Sequence, residues 1–117
     1  MKDNFLFINV QGYNLHDFSL KIKKIINVAD TNIQFEDQMR ENSHVGEYFI
    51  YELFGLEITI HSNEEDAFMG VHEDYPIVMY LKTELHITEP EFNYLVMYFK
   101  KLIQANFNDI DIVGYDD

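Results

Sequence analysis

The chain has 117 residues, with 21 acids against eight bases for a formal net charge of -13, 47% apolar and 15% aromatic residues, and no cysteine. The apolar content is too high for disorder, and the length suits one domain, 1–117, that buries roughly two thirds of its unfolded surface. A disulfide framework, a thiolate zinc site and a cysteine nucleophile are excluded, nucleic acid and anionic lipid are disfavoured as partners by the negative field, and no run reaches the roughly 18 apolar residues of a membrane span.

The opening Phe5-Leu6-Phe7-Ile8-Asn9-Val10 is too short and too polar for a signal peptide and reads as a first strand, with the cytoplasm as the expected compartment. Asn14 then caps a helix from about Leu15 to Val28, with Asp17 completing a capping-box-like pair at the positive end of the dipole. Leu15, Phe18, Ile22, Ile25 and Ile26 fall on one face at helical spacing, and Lys21, Lys23 and Lys24 fall outside it. This pattern describes an amphipathic helix lying on a sheet.

From Thr31 to Val45 the chain is polar, and the alternation of Ile33 and Phe35 predicts a short edge strand followed by a loop. Between Glu47 and His61, two alternating runs separated by Phe54-Gly55 predict an antiparallel hairpin. An acidic turn, Ser62-Asn63-Glu64-Glu65-Asp66, and a loop from Gly70 to Pro76 precede a strong strand at Ile77 to Thr83. Thr88 and Glu91 form a capping box, Pro90 is tolerated in the first turn, and the second helix runs to about Ala105. Its core face is Phe92, Leu95, Val96, Phe99, Leu102 and Ile103, and Asn106 is the expected left-handed cap before a last strand at Ile110 to Val113. The order β-α-(β)-β-β-β-α-β points to an α+β fold, a mostly antiparallel sheet of five or six strands with two helices packed on it.

The acidity is uneven. Between Ile25 and Leu81 twelve acids face one base, Arg40, a net of -11. One part of the surface therefore carries a strong negative field that speeds encounter with cationic proteins.

Catalytic and metal signatures are missing. His16, His44, His61, His72 and His86 form no metal-binding spacing, the glycines are isolated, and the acidic turn lacks the order of a calcium loop. No catalytic residue, cofactor or metal site is assigned, and the chain is expected not to be an enzyme. In the second helix, Tyr94, Met97 and Tyr98 lie opposite the core face, where a one-sided helix is polar. That face is either covered or forms a second interface, a homodimer seam included.

A strongly acidic, cysteine-free, aromatic-rich α+β chain of this length resembles the immunity proteins of bacterial contact-dependent inhibition and related polymorphic toxin systems. The resemblance is one of overall character along the whole chain. It implies a cytoplasmic antidote that binds one cognate toxin domain, often a basic nuclease, and blocks it. The expected partner-binding residues are Glu64, Glu65, Asp66, Glu73 and Asp74, whose carboxylates imitate phosphates, with Tyr75 as an aromatic anchor. The alternative is an acidic homodimeric regulator, or an inhibitor that imitates nucleic acid against a host protein.

Overall fold

A computed structural model describes residues 1–26, 34–38, 46–63 and 71–116. Among these residues there are six strands, β1 (Lys2–Val10), β2 (Gln34–Gln38), β3 (Gly46–Leu53), β4 (Leu56–Ser62), β5 (Ile77–Thr83) and β6 (Ile110–Gly114), with α1 (Leu15–Ile26) after β1 and α2 (Glu89–Asn106) after β5. They form one sheet in the order β2-β3-β4-β5-β1-β6, and every neighbouring pair is antiparallel. This is the α+β architecture that the alternation of strand and helix patterns predicts.

The N-terminal strand lies inside the sheet. Lys2 to Ile8 of β1 pair with Thr83 to Ile77 of β5, and Leu6 to Val10 pair with Gly114 to Ile110 of β6. The period of two then sorts the side chains. Leu6, Ile8, Tyr51, Ile58, Ile60, Met79, Leu81 and Ile112 point to one face and meet Phe18 and Ile22 of α1 and Phe92, Val96, Phe99 and Ile103 of α2 in one buried cluster. Each fully buried aliphatic or phenyl side chain in it is worth roughly 1.5–3 kcal/mol relative to exposure.

Both helix starts follow their residues. Asn14 Oδ1 accepts from the Asp17 amide at 2.7 Å, satisfying one of the free donors of the first turn of α1. At α2 the box is complete: Thr88 Oγ1 accepts from the Glu91 amide at 3.2 Å, and Glu91 Oε1 accepts from the Thr88 amide at 2.7 Å. The predicted continuation of α1 to Val28 lies outside the described residues.

Two details of α2 differ from the sequence expectation. Leu95 is 42% exposed and Leu102 only half-buried, because the helix meets the sheet through the narrower stripe Phe92, Val96, Phe99 and Ile103. Asn106 is not a left-handed cap. It is the last helical residue, its Nδ2 donates to the Leu102 carbonyl at 2.8 Å, and Phe107 leaves in extended backbone at φ -131°. The left-handed residue comes two positions later, Asp109 at φ 52°.

The hairpin turn is where alternation placed it. Phe54 and Gly55 have φ of 49° and 81° between the paired Leu53 and Leu56, the two left-handed centres that a two-residue turn needs to match strand twist. A Cβ on Gly55 would stand 2.7 Å from Leu85 Cδ1 and 2.9 Å from its Cγ. Gly55→Ala is therefore expected to cost roughly 1–2 kcal/mol in denaturant unfolding, from the left-handed backbone and the contact with Leu85 together.

Tyr51 ties β3 to α1: it is fully buried, and its hydroxyl donates to the Ser19 carbonyl at 2.6 Å. Burial pushes its phenol from 10.0 up to about 12. Since the folded value lies above the unfolded one, this contribution is complete below pH 10 and is lost as pH rises toward 12. Unfolding curves at pH 8, 10 and 11 should show stability falling with alkali, and Tyr51→Phe should be about 1 kcal/mol less stable at neutral pH with a shallower alkaline decline.

Candidate functional site

The other face of the sheet carries no helix among the described residues, and alternation there does not give a purely polar surface. Opposed residues line up in rows across the strands. Tyr48, His61, Val78, Phe7 and Val113 form one row from β3 to β6. Ile50, Thr59, Tyr80 and Phe5 form the next, with the Phe5 and Tyr80 rings stacked at 4.5 Å. Phe7 and Val78 are fully buried on this side, and His61 is 4% exposed. Burial lowers the pKa of His61, which therefore stays neutral at physiological pH.

Beyond the apolar rows the charge changes. A third row, Glu52, Glu57, Lys82 and Asp3, places four charged side chains abreast, with Lys82 Nζ 3.8 Å from Glu57 Oε1. Tyr80 donates to Asp3 Oδ2 at 2.7 Å, and its phenol is pushed up to about 12 by desolvation first, then by that hydrogen bond and the charges of Asp3, Glu57 and Glu84.

The opposite end of the same face is closed by a turn. Asn63, 2% exposed, follows β4 directly, and its amide donates to the Pro76 carbonyl at 2.8 Å. Its Nδ2 donates to the carbonyls of His72 at 3.0 Å and Tyr75 at 2.9 Å, while the Tyr75 amide donates to the His72 carbonyl at 2.9 Å. His72 to Tyr75 is thus a four-residue turn clamped by one side-chain amide, with Glu73 and Asp74 exposed at its tip.

His72 is left-handed at φ 52°, a conformation that costs a non-glycine residue roughly 1–2 kcal/mol. Contacts on both sides of the ring offset that strain. The ring lies 4.8 Å from Phe7 and edge-on to Tyr75 at 5.8 Å, and Nε2 is 3.1 Å from the Tyr115 carbonyl, which can only accept.

Tyr75 braces the turn. It is half-buried, and its hydroxyl donates to Asp111 Oδ2 at 2.7 Å. That bond first, and then desolvation and the charges of Asp111 and Asp74, raise its phenol above the ordinary value. Asp111 is the residue that sequence reasoning missed, and β6 brings it beside the turn. Asp3 and Asp111 share strand parity with Phe5, Phe7 and Val113, so alternation within β1 and β6 carried the signal.

Of the six residues expected at a partner surface, Glu73, Asp74 and Tyr75 are brought together, whereas Glu64, Glu65 and Asp66 lie outside the described residues. Acid therefore stands at both ends of one face, Asp3, Glu52 and Glu57 at one end and Glu73, Asp74 and Asp111 at the other. Asp3 and Asn9, the partner of Asp111, are six residues apart on β1, which at strand rise is about 20 Å. Tyr94, Met97 and Tyr98 belong to the helical layer and do not join this site; they are 72%, 49% and 67% exposed.

Among the described residues no three histidine or carboxylate side chains converge as metal ligands, and no helix is long and apolar enough to cross a membrane. No family model matches the chain, and no curated protein or solved structure matches it.

Asn63→Ala removes both clamps on the turn, taking a donor from the Tyr75 carbonyl and leaving the His72 carbonyl with the Tyr75 amide, so unfolding should show a loss of about 1–3 kcal/mol and amide exchange at Glu73 to Tyr75 should accelerate. Asp74→Ser, at the exposed tip, should change stability by less than about 0.5 kcal/mol.

Proposed function

We propose that this protein is a non-catalytic immunity protein, a cytoplasmic antidote that binds a cognate toxin through its acidic surface, the toxin being a basic nuclease domain. The observation that carries the reading is the clamped turn. Glu73 and Asp74 project from a backbone fixed by Asn63, with Asp111 beside them. A turn whose backbone is already fixed gives up little conformational freedom on binding, so the attraction of its carboxylates to Lys and Arg is not offset by the cost of ordering a loop.

The long-range field supports the same role. With a net charge of -13, most of it between Ile25 and Leu81, the chain attracts a cationic partner and repels nucleic acid. Glu64, Glu65 and Asp66 follow Asn63 in sequence and extend the proposed contact. Tyr75 anchors it through a ring already held by His72 and Asp111.

The test begins with immobilised protein and a lysate of its native organism, washed at low and then moderate salt. One basic polypeptide retained near stoichiometry, whose cleavage of nucleic acid stops when the chain is added back, is the expected outcome. Retention of nothing, or of a protein whose activity the chain leaves untouched, overturns the reading. With that partner in hand, Glu64→Ser, Glu65→Ser, Asp66→Ser, Glu73→Ser and Asp74→Ser combined should weaken binding at least tenfold and flatten its salt dependence without lowering the thermal midpoint. Unchanged affinity would remove these residues from the interface.

A further inference from the structure

The outer face of α2 is apolar where a helix packed on one side is ordinarily polar. Tyr94 is 72% exposed, Leu95 42% and Tyr98 67%, and the spacing 94, 95, 98 with half-buried Leu102 makes a stripe one side chain wide beside the core seam. A contiguous patch of this kind marks a contact surface. Tyrosine is among the residue types that interfaces enrich.

The charges along α2 identify the occupant. Glu89 and Glu91 stand in the first turn and Lys100 and Lys101 about three turns further on, so the helix is neutral on a chain of net charge -13. A cationic toxin has no reason to select it. A second copy of the same helix, running antiparallel, does: about a two-fold axis at the level of residue 96, Tyr94 meets the partner's Tyr98, and Glu91 meets the partner's Lys101. The Glu91 carboxylate is already held in place by the Thr88 amide at 2.7 Å. We propose that the protein self-associates through α2 as an isologous antiparallel dimer, with Tyr94, Leu95 and Tyr98 at its centre and reciprocal Glu91–Lys101 pairs at its ends.

The dimer is weak. One helix face covers less than the roughly 800 Å² per partner of a standard interface, so the association is expected only at micromolar or higher concentration, on the order of that of transient contacts. Two copies of charge -13 also repel each other, and two exposed ion pairs contribute little against that. Added salt screens the repulsion and strengthens the dimer, whereas it weakens the contact with a cationic toxin. The opposite signs separate the two proposals, and neither rests on the other.

Sedimentation velocity from about 5 to 300 μM, in 50 mM and 300 mM salt, is the first measurement. A concentration-dependent shift to dimer, larger at high salt, is expected, and Tyr94→Ser with Tyr98→Ser should raise the dissociation constant at least tenfold with no change in thermal midpoint. Lys101→Glu alone should also weaken the dimer, as should Glu91→Lys, while an equimolar mixture of the two single variants should associate again, because each charge then meets its opposite. A wild-type monomer throughout this range, or association untouched by the tyrosine changes, overturns the proposal. Association lost with the tyrosines but not recovered in the mixture overturns the antiparallel arrangement. Circular dichroism checks that Glu91→Lys, which breaks the capping box, is still folded.

Discussion

Pairing of β1 between β5 and β6 is the constraint on which the remaining structure depends. It joins the first ten residues to the last ten and to a strand some 70 positions away, so the ladders that hold the sheet together close late and at high loop entropy. It also buries β1 on both sides. Leu6 and Ile8 fill the helical core, and Phe7, fully buried, supplies the platform on which His72 rests. A one-residue slip of this strand would exchange the two sets, emptying the core and removing the floor of the acidic turn together.

The charge imbalance raises a second constraint, which the tyrosines meet. With 21 acids and eight bases, most carboxylates have no cation available. One of the few lysines, Lys21, is committed elsewhere: it donates to the Tyr13 hydroxyl at 3.0 Å and lies 4.5 Å from the centre of the Phe107 ring. At both ends of the helix-free face a phenol does the work instead. Tyr80 donates to Asp3 and Tyr75 to Asp111, each at 2.7 Å. A neutral donor fixes a carboxylate without cancelling its charge, so the surface keeps its field while the side chains lose their freedom. The raised Tyr75 phenol is the reciprocal sign of its bond to Asp111, and the Tyr80 phenol is raised by desolvation first and by its bond to Asp3 next.

Local chemistry was legible in the sequence wherever one residue decides the geometry. Thr88 with Glu91 marks a helix start, Phe54-Gly55 a hairpin turn, and the apolar run that follows Pro76 a strand from Ile77 to Thr83. Less legible were properties set by which elements meet. Leu95 fits the helical period as well as Val96 does, and only the orientation of α2 on the sheet decides that one is buried and the other exposed. Nothing local in Asn63 announces that it holds two carbonyls nine and twelve residues away. Asp111 is distant from the turn along the chain, and only the pairing of β6 with β1 brings it beside Tyr75.

The two layers also divide the surface by physical character. Acid gathers at both ends of the helix-free face, and the neutral, aromatic patch lies on α2, beyond the core from it. A contact through α2 therefore neither hides nor neutralises the clamped turn, and two copies joined there keep both acidic faces clear of the seam. The two proposed interfaces, on separate layers, answer to separate forces, one to apolar burial under screened repulsion and the other to opposite charge. The sheet between them holds each in place through the same central strand.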